Sequence, residues 1–197
     1  PGIRAIREKF PRHKISLLVA EESKDVLLRS NYIDELLVVD TKNKDKGLKG
    51  LLGIARTLRK RNFDIVIDLQ NNRLSHILSF LSLCTQRYGY DNGKLSFLLN
   101  HRVKENKDKL SPVEHQFRIL KMLGIDLRDK GLELWFSRDD EEYAQNILSA
   151  QWLSDDQKIV GINMAASKKW ISKCWPRDYI ARLCEELNFR NMRVVLT

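Results

Sequence analysis

Three cysteines in 197 residues, at positions 84, 174 and 184, are too few and too unevenly placed for a disulfide framework or a zinc ribbon. They read as free thiols in a reducing compartment. Four prolines and nine glycines exclude a collagen-like chain, and 43% hydrophobic against 31% charged residues exclude a disordered one. Long apolar runs are also missing: residues 77–84, the most apolar helical stretch, are too short to span a bilayer and contain serines. No segment reads as a signal peptide. The patterns G-x-x-x-x-G-K-[ST], G-x-G-x-x-G and G-x-S-x-G do not occur. P-loop hydrolysis, hydride transfer on a standard dinucleotide unit and serine-hydrolase chemistry therefore have no positive support. No His makes metal-ligand spacing with a Cys or a second His, so neither a metal nor a cofactor is expected.

What is present is a length sufficient to bury a core, and a positive charge. The formal net charge is +9, and it is unevenly spread: +7 over residues 1–63, +3 over 64–130, −5 over 131–162 and +4 over 163–197. A basic balance favours an anionic partner, whether nucleic acid, a phosphorylated small molecule or an anionic membrane surface.

Along the chain, short β-branched and aliphatic runs alternate with amphipathic stretches. Strands are expected at 14–20 (KISLLVA), 36–40 (LLVVD), 64–70 (DIVIDLQ), 86–90, 131–136, 158–163 (KIVGIN) and 192–196. Helices are expected at 3–9, 23–30, 48–61, 74–83, 111–123, 139–150 and 176–187. Ser111-Pro112-Val113-Glu114 is a capping-box start with proline at the first helical position, and Gly124 is a usual C-cap. This alternation implies parallel pairing with right-handed crossovers: an α/β, Rossmann-like sheet with helices on both faces. The acidic helix at 139–150 and the polar 154–157 stretch mark a boundary, giving domains of 1–153 and 154–197. The chain opens in a helical pattern without Met and ends on a strand, so both ends read as cuts in a longer protein.

Two segments gather polar groups where a buried strand ends, the edge at which open α/β sheets bind ligands. In the first, Gln70, Asn71 and Arg73 can hydrogen-bond a polyhydroxylated or anionic ligand. The same residues also suit a plain strand–helix turn with an Asn cap. In the second, Ser167, Lys168, Lys169 and Lys173 follow a small-residue turn and precede a Pro-started helix, which is suitable chemistry for a diphosphate. A solvated basic loop over Trp175 is the plainer alternative. The cluster Arg56, Arg59, Lys60 and Arg61 suits an anionic lipid or acidic acceptor, or simply a solvated helix end. His76 and His115 read as packed or solvated structural histidines.

The order of these stretches resembles the ADP-heptose:lipopolysaccharide heptosyltransferases, glycosyltransferase family nine, of GT-B fold. Five elements bear the likeness. They are the opening helix with KISLLVAEES, Asn31-Tyr32-Ile33-Asp34-Glu35 before LLVVD, residues 63–70 (FDIVIDLQ), His115 with Leu120 to Gly124-Ile125, and Ala165-Ala166-Ser167 with Lys173-Cys174-Trp175-Pro176. The resemblance implies inverting, metal-independent transfer of heptose from a nucleotide-diphosphate heptose to the lipopolysaccharide inner core. Residues 1–153 would be the acceptor-side domain, and 154–197 the beginning of the nucleotide-sugar domain. Ser167 and Lys173 would bind the donor phosphates, with Lys173 offsetting charge on the leaving diphosphate. Trp175 would pack and orient their loop, and Gln70 and Arg73 would face the acceptor.

The family's first strand and Gly-Asp loop, which hold the presumed general-base Asp, would precede Pro1. Without them the chain is expected to be inactive alone. Ala165 stands where the family has Gly. The partners expected are the nucleotide-diphosphate sugar, the core acceptor and an anionic membrane face, with no nucleic acid. The expected location is the cytoplasm, peripheral at the inner membrane. Two alternatives stay open: another GT-B sugar-nucleotide enzyme, and a non-catalytic basic α/β module that binds nucleic acid with strong salt dependence.

Overall fold

Most strands form where aliphatic residues run together, and helices bury their apolar stripes on them. The structure, a computed structural model, describes residues 1–104, 110–150, 158–164, 166 and 172–197. Its contacts group into two units, Pro1–Trp135 and Phe136–Thr197.

The first unit runs α1 (Gly2–Lys9), β1 (Ser16–Ala20), α2 (Lys24–Leu27), β2 (Glu35–Val39), α3 (Gly47–Arg59), β3 (Ile65–Ile67), α4 (Arg73–Leu81), β4 (Gln86–Asp91), β5 (His101–Lys104) and α5 (Pro112–Leu120). All pairings are parallel. β1 pairs with β2 from Ser16 opposite Glu35 to Ala20 opposite Val39. β4 lies between β3 and β5, with Ile65 opposite Gln86 and Tyr88 opposite His101. The described strands pair as β1-β2 and β3-β4-β5, in the parallel α/β order expected.

Shared helices knit them together. Ile54 and Leu58 of α3 and Leu78 of α4 form one cluster, against Leu18, Leu37 and Val39. On the other sheet, Tyr88, Tyr90 and Ile119 pack with Ile65, Ile67 and Val103. Phe117, Leu120 and Ile125 meet Ala5, Ile6 and Phe10 of the opening helix. Each fully buried side chain of this size adds roughly 1.5–3 kcal/mol of transfer free energy. Gly89 is required in β4, because a Cβ there would lie 2.5 Å from Leu99 Cδ1.

The second unit holds α6 (Arg138–Ala150), β6 (Ile159–Ile162), α7 (Arg177–Phe189) and β7 (Arg193–Leu196). β6 and β7 pair in parallel, with Ile159 opposite Arg193.

Several expectations need correction. The 131–136 stretch is not a strand, and Leu132, Leu134 and Phe136 are exposed there. Its alternation is apolar enough for a strand but meets no ladder. The 64–70 strand shrinks to three residues because the Asp68 side chain turns the backbone away. β5, whose sequence is the polar HRVK, was not anticipated. The expected helix at 23–30 is only α2, preceded by a 3-10 turn at Glu21–Ser23. The helix from Pro112 becomes a 3-10 turn at Lys121–Leu123 and stops at Gly124, whose φ is +67°.

Candidate functional site

The best-built polar feature lies at the end of β3. The Asp68 backbone N–H still bonds the carbonyl of Tyr88 at 2.8 Å, so the ladder reaches this residue. Its carboxylate then accepts the N–H groups of Gln70 and Asn71 on one oxygen, Oδ1, both at 3.0 Å. This side-chain turn replaces the next rungs of the ladder. Asn71 follows with φ +57°, the left-handed region that Asn tolerates. Asn72 returns to an extended conformation and caps α4, with its Oδ1 accepting the Ser75 N–H at 2.9 Å while Ser75 Oγ accepts the Asn72 N–H at 3.1 Å. This reciprocal cap satisfies two of the helix's orphan donors.

A second loop braces the turn. Asn92, just past β4, donates its amide to the Asn71 carbonyl at 2.9 Å and to Asn71 Oδ1 at 2.7 Å. Asn92 Oδ1 accepts the N–H of Lys94 at 2.9 Å. The Lys94 carbonyl in turn accepts a hydrogen bond from His76 Nδ1 at 2.9 Å. Asp91 beside it holds its carboxyl below the usual range, chiefly through the hydroxyl of Ser96 and then the charge of Arg102. The result is a turn of fixed shape at the carboxyl edge of the sheet.

This frame presents Gln70 and Arg73, both exposed. Arg73 is the first residue of α4 and has no hydrogen bond or ion pair to a described residue. A cation at a helix N-terminus, added to that end's partial positive charge, is a local attraction for an anion or a polyol. The structure thus keeps the two acceptor-side candidates on one turn. Sequence reasoning missed the residues that hold it. The sequence does not single out Asp68 or Asn92, and it reads His76 as a packed or solvated structural histidine. An Asp two residues before a Gln-Asn-Asn run is the available signal for the turn.

Of the donor-side candidates, Ser167, Ala165, Lys168 and Lys169 lie outside the described residues. Lys173 is exposed. Trp175 is 60% exposed, and most of the loop it was expected to orient lies outside the described residues. Pro176 sits at the N-cap of α7, one residue earlier than the first helical turn.

The basic cluster is partly committed to the fold. Arg61 forms a double contact with Glu35 Oε1, at 2.8 and 2.6 Å, and Arg59 donates to the Leu81 carbonyl at 2.8 Å. Arg61, then Ser16, hold the Glu35 carboxyl down at about 2. Arg56 and Lys60 remain exposed, on the same helix as exposed Lys49, Leu48 and Leu52. His115 stacks on Tyr90 at a ring separation of 4.0 Å, a packing role. Burial pushes the Cys84 thiol up, which suits an inert core thiol. Among the described residues no cluster of His, Cys, Asp or Glu is arranged to hold a metal ion, and no helix is long and apolar enough to cross a membrane.

Comparison with known proteins bears on all of this. The model of Glycosyltransferase family 9 (heptosyltransferase) matches residues 51–197. Lipopolysaccharide heptosyltransferase 3 of Escherichia coli K12 is 25% identical over 210 residues, covering 100% of this chain and 58% of that protein. Lipopolysaccharide heptosyltransferase 1 of Campylobacter coli is 27% identical, covering 90% and 53%. The chain therefore spans a little over half the length of these relatives. Among solved structures, a family 9 glycosyl transferase from Veillonella parvula superposes with a TM-score of 0.86 at 21% identity, over 98% of this chain and 56% of that one. The E. coli ADP-heptose heptosyltransferase II gives 0.72 at 18% identity, over 98% and 58%. A third, E. coli heptosyltransferase WaaC with ADP, gives 0.66 at 19% identity, over 99% and 61%. At these identities the structural likeness shows the fold.

Proposed function

Because the chain belongs to glycosyltransferase family 9, the heptosyltransferase family, we propose that it is the acceptor-side domain and the beginning of the donor domain of a heptosyltransferase. The observation that bears this reading is the family match. It runs from α3 through the Gln70–Arg73 turn and on through the lysine loop to residue 197. The reaction is transfer of heptose from a nucleotide-diphosphate heptose to the lipopolysaccharide inner core. The nucleotide is ADP, in keeping with the ADP of the E. coli relative's structure. An acceptor hydroxyl attacks the anomeric carbon, its proton passes to a general base, and the C–O bond to the diphosphate breaks with inversion. We assign the base to no residue of 1–197.

Residues 154–197 take the donor. Ser167 and Lys173 hold its phosphates, and the Lys173 ammonium offsets the charge that grows on the leaving diphosphate. That interaction strengthens in the transition state and so accelerates the step. Residues 1–153 take the acceptor, with Gln70 and Arg73 at the rim of the turn. No metal enters the scheme. The enzyme works in the cytoplasm at the inner membrane, reaching an anionic lipid surface through Lys49, Arg56 and Lys60, with Leu48 and Leu52 as apolar contacts. These five replace the original four-residue cluster, since Arg59 and Arg61 are engaged within the fold.

Lys173→Ala is expected to weaken donor binding or turnover about tenfold or more, one charge-assisted contact. Calorimetric titration with ADP-heptose and steady-state kinetics of the full-length protein measure it. Unchanged donor parameters would remove Lys173 from the site. A panel of nucleotide sugars tests the donor itself, since preference for a hexose donor would point to another GT-B enzyme.

A further inference from the structure

His76 and Asp68 are the most deeply buried titratable pair among the described residues, with side chains 0% and 2% exposed. His76 Nδ1 donates to the Lys94 carbonyl, so this nitrogen holds a hydrogen. The other nitrogen, Nε2, lies 3.5 Å from Asp68 Oδ2. Nε2 and Oδ2 have no hydrogen-bond partner, although both are sealed from solvent. Two facing acceptors in a buried site are unstable, because each has lost its water and gained nothing. A single proton between them resolves this whichever atom holds it more tightly.

With that proton the contacts close into a ring. It runs from Asp68 to the Gln70 and Asn71 amides, from Asn71 to Asn92, through Lys94 to His76, and back to Asp68. Together the links tie four places in the chain: the end of β3, the turn, the loop after β4, and α4. The loop after β4 is itself held in an unusual backbone state, with Leu95 at φ +66°, which a bulky residue adopts only when its surroundings impose it.

We propose that Asp68 and His76 are a proton-bridged positioning pair. Their bridge fixes the Gln70–Arg73 turn in the shape that meets the acceptor. The pair touches no substrate. It acts through the turn, so its effect on catalysis rests on the acceptor-side reading given above.

Substitution by Asn separates bridge from bulk. In Asp68→Asn the amide oxygen still accepts the two backbone N–H groups, and the amide nitrogen supplies a covalently held proton to Nε2. This variant is expected to behave like the unaltered protein. Asp68→Ala and His76→Ala break the ring. Amide hydrogen exchange at Gln70 and Asn71 is expected to rise about tenfold or more in both, while core amides such as Val66 and Tyr90 keep their protection. Should His76→Ala not fold, His76→Phe fills the same space without either polar contact.

In steady-state kinetics of the full-length protein, the broken-ring variants are expected to raise the acceptor KM about tenfold, with donor KM unchanged and recovery in Asp68→Asn. Unchanged exchange at Gln70 and Asn71 in His76→Ala overturns the positioning pair. So does loss of protection in Asp68→Asn equal to that in Asp68→Ala. A fall in kcat alone, with both KM values constant, marks a fold defect and overturns it too. Faster exchange with an unaltered acceptor KM leaves the pair standing and instead removes the turn from the acceptor site.

Discussion

From Pro1 to Trp135, twelve apolar side chains are buried, in clusters under α3, α4 and α5; from Phe136 to Thr197, Ile180 alone is buried among the described residues. Both regions are written in the same alternation of aliphatic strand and amphipathic helix. In the first, each strand pair is met by helices from more than one place in the sequence, so a side chain such as Ile119 is enclosed on all sides. In the second, one crossover helix lies between two strands, and α6 leaves Tyr143, Ile147 and Leu148 exposed along its stripe. Patterning selects the type of element, whereas burial requires a second layer to press against it.

The sharpest way to break this comparison is a pair of truncations. Ile119→Ala, at a fully enclosed site, is expected to lower unfolding free energy by about 2–5 kcal/mol through lost transfer and cavity terms. Ile147→Ala, on the exposed stripe of α6, is expected to stay within about 0.5 kcal/mol. Urea titrations followed by circular dichroism measure both. Equal losses would show that α6 is as well packed as α5.

A smaller effect is expected at the capped turn. Asn72→Ala removes the acceptor for the Ser75 N–H and should cost about 1 kcal/mol. Ser111→Ala, at the analogous cap of α5, should cost about the same, because the two boxes share one geometry. A difference of more than about 1 kcal/mol between them would mean that the Asn92 brace adds to the first.

The smallest effect is electrostatic and is read in acid. The Glu35 carboxyl ionises at about 2 in the fold, against an ordinary 4.5, because Arg61 and then Ser16 hydrogen-bond its charged form. The unfolded chain thus binds the proton more readily. The stabilising contribution is complete above about pH 4.5 and is lost as pH falls toward 2. Glu35→Gln is expected to make the urea midpoint fall less steeply across that window, with part of the fall left to Glu114, which Lys130 also holds at about 2. A midpoint that still falls as steeply in the variant would assign the acid sensitivity elsewhere.

Most of the elements and their parallel order were legible in the sequence, because period and composition are local properties. Aliphatic runs such as LLVV of β2 and the Ser-Pro-x-Glu start of α5 give themselves away without context. β5 did not, since HRVK owes its strand to the ladder offered by Tyr88–Asp91 and not to its own residues. The reverse error at 131–136 has the same cause, an alternating sequence with no ladder to join. At the candidate site, the turn that presents Gln70 and Arg73 could be read from its position past a buried strand. Asp68 was hidden inside that strand's apolar run, and His76 inside a helix's apolar face. Their pairing is a contact between side chains eight positions apart, which no local period encodes.

The polar sequence of β5 has a colloidal consequence. Among the described residues β5 is an outer strand of β3-β4-β5, and HRVK carries two cations there. Charged side chains on an outer strand discourage strand-to-strand association between molecules, and the net charge of +9 adds mutual repulsion. Added salt screens both. Concentrated solutions are therefore expected to self-associate more readily as ionic strength rises.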